Sequence, residues 1–184
     1  MNKQNNYNSL TKTLHHVEES KCKLVYEVGT LISPDGKVIK EYCGETHSIN
    51  IPYEDRPLFE GNIFTHNHPS GRCFTQRDII EFIDCGAMEM RVSTPQGTYF
   101  SLKESDGEIN RSVGRIMREE KIGNSINATE IIRDGIIEGK YHSNIMEKAK
   151  EYEFLVYDIM ADEVDKWLTE NAGEFGYIYA KGVL

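Results

Sequence analysis

Cysteine, proline and tryptophan are scarce in this chain, at four, five and one among 184 residues. The four cysteines (Cys22, Cys43, Cys73, Cys85) lie far apart with no CxxC pair, which argues against a zinc ribbon and a disulfide framework and leaves reduced, mostly buried thiols. Long apolar runs are also missing. Nothing approaches the roughly 20 residues that cross a bilayer, and the opening MNKQNNYNS is polar rather than a basic segment followed by an apolar one. The expectation is a cytoplasmic protein with no membrane partner. Positive charge is in deficit: 21 Lys and Arg stand against 30 Asp and Glu, a net charge of −9. Nucleic-acid surfaces draw most of their affinity from phosphate neutralisation by Lys and Arg, so no nucleic-acid partner is expected. What is present, 39% hydrophobic and 28% charged residues, is the composition of a globular chain that buries a core without staples.

Leu10, Leu14 and Val17 recur at three- and four-residue steps and predict a short docking helix. KLVYEVGTLI and KVIKEY around Ser33-Pro34-Asp35-Gly36 read as a β-hairpin. HSINI (47–51) alternates as a third strand would, and PYEDRPLFEG holds a helical turn ended by Gly61. Asn62 to His68 reads as a strand running into Pro69-Ser70-Gly71. Thr75 opens a helix with Ile79, Ile80, Phe82 and Ile83 on its buried side and Gly86 as its stop. Two strands follow, 88–94 and 98–103, joined by Pro95-Gln96-Gly97. Residues 1–103 carry 13 acids and 11 bases, whereas residues 104–184 carry 17 acids and 10 bases. The second part reads as an acidic helical extension, with helices over about 107–121, 127–139 and 143–171 and a terminal edge strand from Phe175 to Ala180. The fold class is α/β: a mixed sheet flanked by helices in 1–103, with 104–184 appended.

The chemistry concentrates in Thr65-His66-Asn67-His68-Pro69-Ser70-Gly71 and Phe74-Thr75-Gln76-Arg77-Asp78. Residues two apart on a strand face one side, so His66 and His68 present two imidazoles to one spot. The turn reverses the chain, and Asp78 in the first turn of the next helix can return a carboxylate there. Two histidines and a carboxylate leave one tetrahedral position open, the arrangement of a catalytic zinc site. A water at that position needs a base, and Glu27, a charge within an apolar strand, is the leading candidate, with Glu41 and Glu45 as substitutes. The Thr75 hydroxyl is placed to donate to an oxyanion.

Glu27 with Gly29 in a first strand, then His66-x-His68-Pro69, then Thr75-x-x-Asp78, resembles the JAMM (JAB1/MPN-type) metalloprotease motif. His-Asn-His-Pro-Ser-Gly is similar to RadC-like proteins, and the fuller text resembles JAB-like domains of phage head-morphogenesis and related phage-borne proteins. The resemblance spans roughly residues 22–103. It implies a JAB/MPN-like sheet, one zinc ion held by His66, His68 and Asp78, Glu27 as general acid/base and Thr75 as oxyanion helper. It also implies hydrolysis of peptide or isopeptide bonds in a protein or peptide substrate, with ubiquitin-like modifiers as one class. Two details depart from the common pattern: nine residues rather than ten separate His68 from Asp78, and threonine stands for serine.

Plainer roles exist for the same residues. Thr75-x-x-Asp78 is also a helix cap, Glu27 can pair with Lys37 or Lys40 across the hairpin, and Cys73 can supply a thiolate ligand. His15, His16, His47 and His142 lack partners at ligand spacing and read as structural or surface residues. Trp167, Leu155, Ile159 and Val164 form the apolar stripe of the last helix. The rival to the enzyme is a non-catalytic interaction module of the same fold, acting in phage assembly or host-defence interference through its acidic tail.

Overall fold

The computed structural model describes residues 3–184. Six strands form one mixed sheet in the order β2-β1-β3-β4-β5-β6. The hairpin comprises β1 (Val28–Ile32) and β2 (Val38–Cys43), and Gly36 takes the positive φ (86°) that its turn demands. β3 (Ile63–Asn67) pairs antiparallel with β1 and parallel with β4 (Glu89–Ser93), and β5 (Thr98–Glu104) and β6 (Tyr177–Val183) close the sheet antiparallel. The parallel pair needs a crossover, which α2 (Gln76–Cys85) supplies.

The period-2 geometry of β3 divides the molecule. Ile63 and Thr65 face α1 (Lys3–Lys21), where Leu14 and Val17 pack on Ile32 and Ile63. Phe64 faces the larger core with Leu31, Phe74, Ile79, Phe82, Met90 and Val92. The α1 face also buries charge. Glu18, 1% exposed, takes a two-point contact from Arg91 at 2.6 and 3.0 Å and a hydrogen bond from Thr65 Oγ1 at 2.9 Å. Glu89 accepts from Arg91 at 3.0 Å and from Ser101 at 2.7 Å. Such a network is tolerable in low dielectric because its acceptors and donors are mutually satisfied.

The acidic half packs on this frame through α3 (Val113–Glu119), α4 (Ser125–Ile137) and α5 (Ala149–Asn171). Val113, Met117, Val164, Trp167, Leu168 and Tyr177 belong to the same apolar cluster as Phe74 and Leu102, so packing is continuous across residues 104–107. α4 and the first half of α5 share a smaller cluster around Ala128, Ile132 and Ile159. Asp165 on α5 takes a hydrogen bond from Tyr179 and pairs with Lys181 Nζ at 2.6 Å, tying β6 to that helix.

Three expectations are corrected. HSINI is not a strand: β1 already pairs with β2 and β3, and Ile49 and Ile51 instead turn inward to pack beside Phe64. The helix expected over 107–121 is confined to Val113–Glu119, because the Asn110 side chain caps the Ser112 N–H in a preceding turn at 3.0 Å. The helix expected from 143 begins at Ala149, with a 3₁₀ turn at Ile145–Glu147 before it. Among the described residues, no helix is long and apolar enough to cross a membrane.

Candidate metal centre

β3 ends at Asn67, yet the N–H of His68 still donates to Ser93 O at 2.9 Å, which keeps His68 in the ladder and on the side of His66. Their Nε2 atoms lie 3.0 Å apart. Pro69 to Gly71 then turn the chain, with Gly71 at φ 77°, and the carbonyls of Arg72 and Cys73 come back to accept from His68 Nδ1 at 3.2 and 3.0 Å. That network assigns a proton to His68 Nδ1 and turns Nε2 toward His66. His66 is buried. Burial, reinforced by the neighbouring His68, lowers its pKa to about 4, so it is a neutral imidazole near pH 7.

The third group comes from the start of α2. Thr75 is its N-cap in a complete capping box: Asp78 N–H donates to Thr75 Oγ1 at 3.2 Å, and Thr75 N–H donates to Asp78 Oδ2 at 2.7 Å. The Thr75 hydroxyl donates to the same Oδ2 at 2.8 Å. These contacts aim the carboxylate at the imidazoles, with Oδ1 3.8 Å from His66 Nε2 and Oδ2 3.5 Å from His68 Nε2. Burial works to raise the Asp78 pKa, but the two histidines and the Thr75 bonds outweigh it and hold the carboxyl below its usual value.

Two imidazoles and a carboxylate thus each turn a possible ligand atom to one point, these atoms all within 4.8 Å of one another. Ligands about 2.0–2.1 Å from a tetrahedral ion are about 3.3 Å from each other, and the spacings of 3.0, 3.5 and 3.8 Å bracket that value. The donor set therefore fits a small divalent cation.

Glu27 stands immediately before β1, where its N–H and C=O pair with Glu45 O and Gly44 N–H, each at 2.8 Å. Asn67, between the two histidines, grips the backbone on either side of it: Val28 N–H donates to Asn67 Oδ1 at 2.7 Å, and Asn67 Nδ2 donates to Tyr26 O at 2.9 Å. The Glu27 side chain is buried. Burial, with the charge of Asp78, raises its pKa to about 8 against a smaller opposing pull from Arg77. A carboxyl poised near neutrality is what general acid/base work requires.

Glu27, His66, His68, Thr75 and Asp78 all line one cavity of about 130 Å³. A neighbouring cavity of about 90 Å³ shares Glu27, His47, His68 and Thr75 and is walled by Cys73, Gly123 and, from α5, Tyr157, Met160 and Ala161. The plainer roles divide. Thr75 is a cap, and its hydroxyl proton is committed to Asp78. Lys37 and Lys40 pair with Asp35 and Asp55 rather than Glu27, and Glu41 pairs with Lys21. The Cys73 thiol turns away from the imidazoles to donate to Ala161 O at 3.1 Å, and burial pushes its pKa up. Sequence reasoning missed Asn67 as the brace of Glu27. It also missed His47, which stacks on Tyr157 at 6.2 Å, a contact between residues 110 positions apart that leaves no local signal.

Compared with protein-family models, with curated proteins and with solved structures, the chain has no match.

Proposed function

We propose that this protein is a metal-dependent hydrolase of amide bonds, peptide or isopeptide, in protein substrates. The observation that carries the reading is the convergence of His66, His68 and Asp78 at ligand spacing in a cavity that also presents the buried carboxyl of Glu27. The JAMM-like spacing of the same residues in the sequence supports it. A zinc ion held by the three groups would supply Lewis acidity, polarising the scissile carbonyl and bringing the pKa of water toward neutrality. Glu27 takes the proton of the attacking water and passes it to the leaving nitrogen, so that a C–O bond forms, the C–N bond breaks and the products are a carboxylate and an amine. Asn67 holds Glu27 at its station through the backbone on both sides. Thr75 fixes Asp78, and it serves an oxyanion only by exchanging its bond to Oδ2.

The test joins elemental analysis to hydrolysis of a peptide library. The wild type is expected to purify with or take up one zinc per chain and His68→Ala to hold almost none. Glu27→Gln should keep the zinc while turnover falls by about 10²-fold or more. Full turnover by Glu27→Gln would overturn the mechanism, and equal zinc in His68→Ala would overturn the site. Zinc uptake without cleavage of any protein, peptide or isopeptide substrate would favour the interaction module.

A further inference from the structure

Beside the imidazoles, where Phe64 stacks on His66 with ring centroids 5.5 Å apart, the larger cavity has an apolar floor and a cationic lip. Ile49, Ile51, Phe64 and Met90 line the floor, and Arg56, Arg77 and Glu81 stand at the mouth. Among the described residues Glu81 is the carboxylate paired with both arginines, and it is already engaged by Arg56 at 2.9 Å. Arg77 reaches it only at 4.0 Å, and its side chain is 71% exposed. Among the described residues, its five N–H donors make no hydrogen bond to a protein acceptor. Arg77 nevertheless lines the same cavity as Glu27, and its charge opposes the rise in the Glu27 pKa. In a chain of net charge −9, Arg56, Arg77 and Glu81 sum to one positive charge, which Asp78 in the same cavity offsets; a divalent cation on His66, His68 and Asp78 would leave the cavity positive.

Resting on the hydrolase reading, we propose that Arg77, seconded by Arg56, selects substrates carrying a carboxylate beside the scissile amide, with the methylene stem of the acidic residue on the floor formed by Ile49, Ile51, Phe64 and Met90. A planar guanidinium with free donors takes a carboxylate by two parallel N–H···O bonds, which fixes direction as well as charge. The apolar floor accepts the methylenes of such a side chain, and a lysine in its place would meet two arginines.

The test uses zinc-loaded protein and hydroxamate-capped short peptides, whose chelating group needs no turnover, with Glu, Gln or Lys on either side of the chelator. A further pair separates a side-chain carboxylate (Glu peptide amide) from a terminal one (Gln peptide acid). Calorimetry should find the better-placed Glu peptide about 10-fold tighter than its Gln counterpart and tighter still than Lys. Arg77→Glu should invert that order while zinc per chain stays the same. Equal affinities for Glu, Gln and Lys, or an order that survives Arg77→Glu, would overturn the proposal while leaving the metal site standing. If no hydroxamate binds the zinc-loaded protein, the hydrolase reading fails and this proposal with it.

Discussion

Glu27 makes the fold sensitive to alkali in a way that one substitution should abolish. Its carboxyl has an ordinary value of 4.5 and sits at about 8 in the folded chain, so between those values the native state keeps a proton that the unfolded chain releases. Stability from this group is complete below about pH 4.5 and is lost as pH rises toward 8. The difference, 8 − 4.5 = 3.5 units, corresponds to at most about 5 kcal/mol over the whole window, with about 1.4 kcal/mol lost per unit near its middle. His66 has the opposite sign. Held neutral at about 4 against an ordinary 6.5, it stabilises fully above pH 6.5, and that contribution is lost as pH falls toward 4. Urea unfolding of chelator-treated protein at pH 6.5 and 7.5 isolates the Glu27 limb. The wild type should lose about 1 kcal/mol more across that interval than Glu27→Gln, with unchanged denaturant slopes. Zinc should flatten the wild-type profile, because a nearby cation favours the ionised carboxylate. Parallel profiles for wild type and Glu27→Gln would refute the argument.

Two further outcomes follow from the packing. Glu18→Ala leaves Arg91 in the interior with Glu89 and the face of Tyr99 as its remaining partners and should cost about 3 kcal/mol in urea unfolding; a loss under about 1 kcal/mol would show that water reaches the pair. Thr75→Val removes the cap and one brace of Asp78. It should lower stability by about 1 kcal/mol and weaken zinc about 10-fold in chelator competition, whereas Thr75→Ser restores both.

The candidate site was legible because its grouping is local. His66 and His68 share a strand face by period, and Asp78 is delivered by the same cap that starts α2, so three groups meet within thirteen consecutive residues. Glu27 was legible as a charge out of place in apolar text, but the means of holding it were not, since the Asn67 bonds span 39 and 41 positions. The same limit hid the wall that α5 gives the second cavity and the clamp between Glu18 and Arg91. HSINI misled because an inward-facing loop and a half-buried strand produce the same alternation, and only the pairing already claimed by β1 separates them.

The buried clamp beneath β3 also sets a timetable for biosynthesis. Glu18 leaves the ribosome long before Arg91, at about 5–20 residues per second, so for several seconds the first helix carries a carboxylate with no cationic mate. Until β4 emerges, the Thr65 hydroxyl on β3 is the one of that carboxylate's folded-state donors already made. His66, His68 and Asp78 all precede Arg91, so the three candidate ligands are synthesised before the clamp that backs their strand can close.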